Sequence, residues 1–205
     1  MKHSPGNPGR FTYPKSRSLR VLWVLEEIGV TYEAIKVDLF NRGSNVKSPH
    51  PLGKVPFLID EEVSISETLA ICIYLCEKHQ NFTLYPANLG EKASVNSWLS
   101  FSLTDLEAPV WGLLKHIIFT PENQRSTTLM NYFREEADKV ISQIHFNSAH
   151  TWIAGNYFTL ADIFLSHTLQ WAKVCGLDIN AETNSYIVRT MSRPAFVKAQ
   201  ERNNF

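Results

Sequence analysis

The periodicities along this chain predict a small α/β domain followed by an all-α domain. Helical and strand patterns alternate as far as residue 80, the stretch "NFTLYPANLG" interrupts both, and only helical spacing continues from residue 92 onward. The expected organisation is therefore 1–80 for the first domain, 81–91 for a linker and 92–205 for the helical domain.

The first strand falls on "RFTY", inside "SPGNPGRFTYP", whose prolines and glycines favour a strand that is short, displaced or absent. In "RSLRVLWVLEEIG" (17–29), Leu19, Leu22, Leu25 and Ile28 line one helix face, and Gly29 supplies the stop. "TYEAIKVDL" then alternates as a strand. A loop of Asn, Ser, Pro and Gly (41–53) leads to a strand at 55–60, a turn at Glu61 and Glu62, a strand at 63–65 and the helix "ETLAICIYLCEKH". The order is β-α-β, then β-β-α. Beyond the linker, Val95, Trp98, Leu99, Ser102, Leu103 and Leu106 recur at helical spacing, with a helical hairpin expected around Pro109. In "FTLADI", Thr159 suits an N-cap, Asp162 sits where its carboxylate can reach back, and Phe158 can staple onto Ile163. Pro121, and Pro194 in "SRPAF", read as first-turn prolines.

Composition narrows the function classes. Lys plus Arg (20) balance Asp plus Glu (20), and no basic run is interleaved with aromatics, so neither a nucleic acid nor an anionic membrane surface is the expected partner. No apolar run is long enough to span a bilayer, and "MKHSPGNPGR" lacks the apolar core of a secretory signal, which favours a cytoplasmic location. Cys72, Cys76 and Cys175 cannot all pair and have no zinc spacing with histidine, so reduced thiols and no metal are expected.

One stretch does not read as an ordinary core strand. In "PLGKVPFLID" (51–60), Pro56 removes a ladder donor near the start of an apolar run, so it either begins the strand or adopts the cis form. In both cases regular pairing ends at Val55, whose backbone groups are left for another partner.

"SRSLRVLWVLEE", "PLGKVPFLID", "SETLAICIYL", "FTLADI" and "RPAF" occur in an order and spacing that resemble the cytosolic glutathione S-transferases over nearly the whole chain, and within them the serine-type "SRSxRVLWLLEE" group of bacteria and fungi. The resemblance implies a thioredoxin-like first domain, a helical second domain, glutathione as co-substrate and a homodimer. It further implies that Val55, exposed by a cis Pro56, pairs with the glutathione backbone as a short added strand. Thr68 and the helix N-terminus behind it would receive the γ-glutamyl carboxylate and Glu67 the ammonium, with Lys54 meeting the glycyl carboxylate and His50 a further contact. Each has a plainer reading: Glu67 a favourable first-turn acid, Lys54 a solvated charge, His50 a loop residue. The catalytic hydroxyl falls on Ser16 at the start of the first helix, where it doubles as an N-cap, with Tyr13 and then Ser18 as alternatives. No cysteine occupies this loop, which disfavours a mixed-disulfide mechanism. Phe101 and Trp111 are candidates for the electrophile site, although aromatic stripes at helical spacing more often belong to a core.

The expected activity is transfer of the glutathione thiolate to small hydrophobic electrophiles. The alternatives are a non-catalytic glutathione- or protein-binding module on the same fold, and a glutathione-dependent peroxidase or reductase.

Overall fold

The structure, a computed structural model, describes residues 9–12, 15–39 and 45–204. The chain divides into two compact units, Met1–Phe82 with Ser192–Phe205, and Thr83–Met191.

The first unit holds a four-stranded mixed sheet in the order β2-β1-β3-β4. Strand β1 (Gly9–Thr12) is present and lies inside the sheet, parallel to β2 (Glu33–Lys36) and antiparallel to β3 (Phe57–Asp60), so the strand is neither absent nor displaced, and its four residues match the length of its neighbours. β3 pairs antiparallel with β4 (Val63–Ser66). Helix α1 (Ser18–Ile28) follows β1 and ends at Gly29, whose φ of 80° is the left-handed conformation a C-terminal stop needs, and whose N–H bonds the Leu25 carbonyl at 2.9 Å. Helix α2 (Thr68–Lys78) follows β4 and packs on α1. Leu22, Trp23 and Leu25 of α1, Leu58 of β3, and Ile71 and Leu75 of α2 are all fully buried between these elements. This is the thioredoxin-like arrangement that the resemblance implies.

The second unit is helical. Helix α3 (Leu89–Ser100) passes without a break into a π-helical segment, Phe101–Leu106, and on into α4 (Glu107–Ile118). The hairpin expected at Pro109 is therefore not there; the chain turns after α4 instead. The π segment accounts for the difference. Proline lacks an N–H and its ring crowds the carbonyl one turn back, and the widened turn, in which the Glu107 N–H bonds the Ser102 carbonyl, lets the helix continue through it. Pro121 precedes a short 3-10 turn (Glu122–Gln124) and does not start a long helix. Helix α5 (Thr127–Ser142) begins at Ser126, whose hydroxyl caps the Leu129 N–H, and packs so closely on α4 that a Cβ at Gly112 would lie 2.7 Å from the Phe133 ring. Helices α6 (Leu160–Val174) and α7 (Ala181–Met191) complete this unit. At the start of α6 the Asp162 carboxylate accepts the Thr159 N–H at 2.9 Å, the Ile153 N–H at 3.1 Å and the Tyr186 hydroxyl at 2.8 Å.

The last helix, α8 (Pro194–Asn203), begins at Pro194 as read from the sequence but departs from the expected division at residue 92: it packs against α1 of the first unit. The Trp23 and Phe196 rings meet edge-on at 4.7 Å, and the Arg193 guanidinium forks onto both carboxylate oxygens of Glu27 at 2.6 and 2.7 Å.

Candidate functional site

The directions of the strands gather the candidate residues. β1 runs parallel to β2 and antiparallel to β3, and β3 runs antiparallel to β4, so the C-terminal ends of β1 and β4 and the N-terminal end of β3 share one end of the sheet. Ser16 follows β1, Val55 and Pro56 precede β3, and Glu67 and Thr68 follow β4. The pairing of Phe57 with Ser66 sets the Val55–Pro56 peptide beside the entry to α2. Both α1 and α2 also begin at this end, so two positive helix ends are directed toward it.

At the first helix entry, the partly buried Ser16 hydroxyl accepts the Ser18 N–H at 3.1 Å and lies 2.9 Å from the Ser18 hydroxyl, to which it donates. Arg17, the residue flanking the helix, provides no side-chain cap, so the Ser16 oxygen fills that role. Ser18 is 1% exposed, behind Ser16. Tyr13 lies outside the described residues.

Along the loop before β3, the Val55–Pro56 bond is cis. Among the described residues the Val55 amide and carbonyl have no hydrogen-bonding partner. The Lys54 side chain is exposed, while its carbonyl accepts from the Ser48 hydroxyl. His50 is built into the loop: its Nδ1 accepts the Leu52 N–H at 2.9 Å, its ring stands edge-on to Phe57 at 6.4 Å, and its proton is therefore on Nε2.

At the second helix entry, Glu67 adopts φ 72°, ψ 121° and makes no side-chain cap to α2. A non-glycine residue held there costs about 1–3 kcal/mol, and such positions cluster at ligand clamps. The strained turn and missing cap leave the first N–H groups of α2 available to an anion, with the Thr68 hydroxyl beside them.

Phe101 and Trp111 lie in the second unit, both half-exposed. Phe101 stands edge-on to Trp98 at 5.3 Å, and Trp111 stacks on Trp171 at 5.6 Å. The cysteines are buried. Burial pushes the Cys76 thiol up to about 12 and Cys175 up to about 11; it also raises Cys72 well above the ordinary range, with Cys76 adding to the shift and Arg20 opposing it. None is a ready thiolate at neutral pH. Among the described residues, no cluster of His, Cys, Asp and Glu could hold a metal ion, and no helix is long and apolar enough to cross a membrane.

The glutathione S-transferase N-terminal domain model matches residues 9–77, and the C-terminal domain model matches residues 109–194. This chain belongs to the glutathione S-transferase family. Glutathione S-transferase F10 of Arabidopsis thaliana is 29% identical over 161 residues, covering 71% of this chain and 72% of its own length. Glutathione S-transferase GstA of Escherichia coli O157:H7 is 28% identical over 193 residues, covering 90% and 91%. Among solved structures, yeast Ure2p in complex with glutathione superposes with a TM-score of 0.83 at 23% identity, over 98% of this chain and 95% of that one, a likeness of fold.

Sequence reasoning missed the hydroxyl pair of Ser16 and Ser18 and the strained turn at Glu67. "SRS" carried a partial signal for the first, since two serines two apart at a helix entry compete for the same N–H groups. The sequence holds no such signal for the second.

Proposed function

We propose that this transferase-family chain conjugates the glutathione thiolate to small hydrophobic electrophiles, with Ser16 as the thiolate-stabilising hydroxyl. The observation that carries the reading is the shared sheet end, where an unpaired Val55 backbone, an uncapped α2 N-terminus and the Ser16 hydroxyl lie together.

In this reading the cysteinyl backbone of glutathione pairs with Val55. The γ-glutamyl carboxylate takes the α2 N–H groups and the Thr68 hydroxyl, and its ammonium faces Glu67. Lys54 and the His50 Nε2–H serve the glycyl end. The sulfur then lies at the α1 entry. A free thiol has a pKa of about 8.5, and a hydroxyl donor together with the helix dipole favours its anion. When the Ser16 proton turns to the sulfur, Ser18 can donate back to the Ser16 oxygen across the same 2.9 Å, so that oxygen then accepts from both the Ser18 N–H and the Ser18 hydroxyl while the thiolate gains a donor. The thiolate forms its bond to the electrophile's carbon as the leaving group departs, or as a conjugated double bond takes up the electron pair. Phe101 and Trp111 are the aromatic candidates for holding that electrophile. The reading places the protein in the cytoplasm as a two-fold homodimer.

Retention on immobilised glutathione and turnover of a generic aryl halide test this together. Retention with turnover above the uncatalysed rate is expected. Retention with no rate would identify a binding module, and glutathione-dependent peroxide consumption without conjugation would identify the peroxidase or reductase alternative.

A further inference from the structure

Thr12 closes β1 and its side chain is 1% exposed; its hydroxyl donates to the Oδ1 of Asn203, itself 1% exposed, in the last turn of α8 and 191 residues away in sequence. The Thr12 carbonyl accepts the Val37 N–H at 2.8 Å, so this residue is held through both backbone and side chain. The connection to α1 leaves from this point. It includes Lys15, in a left-handed conformation at φ 59°, and Ser16. On the far side of that connection, α8 grips α1 through the Arg193–Glu27 fork and the Trp23–Phe196 ring contact. The final helix thus holds the chain on both sides of the segment that carries Ser16.

We propose that Asn203, acting through Thr12, is a positioning residue for the strand-to-helix connection that presents Ser16. A neutral amide suits the task. At this depth a carboxylate in its place would bury a charge, and an apolar side chain would leave the Thr12 hydroxyl without its acceptor. The catalytic consequence rests on the Ser16 reading above; the mechanical one does not. The contact joins two buried groups distant in sequence, so loosening it frees the end of β1 while the hydrophobic contacts of α8 with α1 remain.

The test uses Thr12→Val, Asn203→Ala, the double variant, and Thr12→Ser as the conservative change, in the full chain. Two readouts are taken: the pH profile of glutathione-dependent turnover of an aryl halide, and the rate of tryptic cleavage of the native protein after Lys15 or Arg17. Thr12→Val is expected to lower turnover at neutral pH by ~3- to 10-fold, the range of one net hydrogen bond, with the KM for glutathione little changed. The pH of half-maximal rate should rise and cleavage in the connection should accelerate. Thr12→Ser should restore both, and the double variant should be no worse than the more severe single one. Where Thr12→Val does not fold, Asn203→Ala, which only truncates a side chain in the last turn of α8, is read in the same two assays. A lowered melting temperature with an unchanged pH profile and unchanged cleavage would overturn the proposal. Faster cleavage in Thr12→Val together with a Ser16→Ala variant of full activity would uphold the positioning role and sink the serine assignment instead.

Discussion

In the proposed reading the capping hydroxyl and the thiolate donor at Ser16 are one group, because its oxygen already takes the Ser18 N–H and its proton, directed at the Ser18 oxygen, can turn to another acceptor. Replacing it separates the two roles. Ser16→Ala should leave retention on glutathione nearly intact, since in that reading Lys54, Val55, Glu67 and Thr68 hold the rest of the molecule. The loss should appear in turnover, by roughly 10- to 100-fold for one hydrogen bond to a charged group, with the pH of half-maximal rate moving upward as the bound thiol becomes less acidic. Tyr13→Phe, measured in parallel, should do much less; a tyrosine variant carrying both effects would transfer the role to Tyr13. The cysteines give a second outcome at this scale. With Cys76 pushed up to about 12, Cys175 to about 11 and Cys72 raised by burial, iodoacetamide at pH 8 should label none of the three in the native protein and all three after unfolding. Labelling of any one in the folded protein would show that its burial is not maintained in solution.

Among the elements, those set by a local pattern were legible and those set by distant partners were not. α1 and its Gly29 stop, the turn between β3 and β4, and the Thr159–Asp162 helix start follow from neighbours within a few residues, and the structure carries each of them. Pro109 misled because a proline reads as a break unless the preceding turn widens, and Phe101–Leu106 has no composition that announces a π-helix. The site divides in the same way. Ser16, Val55 and Thr68 were named from motifs, but their meeting at one end of the sheet depends on strand register, and the Thr12–Asn203 bond joins the two ends of the chain. The α6 entry allows an energetic test. Asp162→Ala leaves the Ile153 and Thr159 N–H groups and the Tyr186 hydroxyl without their acceptor, so stability should fall by at least ~2 kcal/mol, and Asp162→Asn, which keeps one acceptor oxygen, should lose less. Burial raises the Asp162 pKa and outweighs the donors that lower it. Its folded-state value therefore exceeds the unfolded one, so the stability linked to this shift is complete below the ordinary aspartate range and declines as pH rises through the folded value, while the hydrogen bonds to the carboxylate persist above it. Asp162→Asn should abolish that slope in melting experiments, and an unchanged slope would assign it to another group.

For the molecule as a whole, the division into units follows contacts and not chain order. "SRPAF" announced a helix but gave no sign of which surface it would cover, and Arg193 finds Glu27 at a separation of 166 residues. Each unit then presents apolar side chains outward, among them Leu52 at 72% exposure in the first and Ile118 at 55% in the second. Single exposed apolar residues are ordinary on a monomer, so they do not by themselves call for a partner. The argument for one comes from the family, in which the resemblance implies a two-fold homodimer whose interface uses the same patch from both copies. Light scattering should then give about twice 23.4 kDa at micromolar concentration. Association that favours the folded state also makes the melting temperature climb with protein concentration, whereas a monomer unfolds at a temperature independent of it. A monomer mass together with a concentration-independent melting temperature would reject the dimer, while leaving the fold and the Ser16 assignment to stand on their own tests.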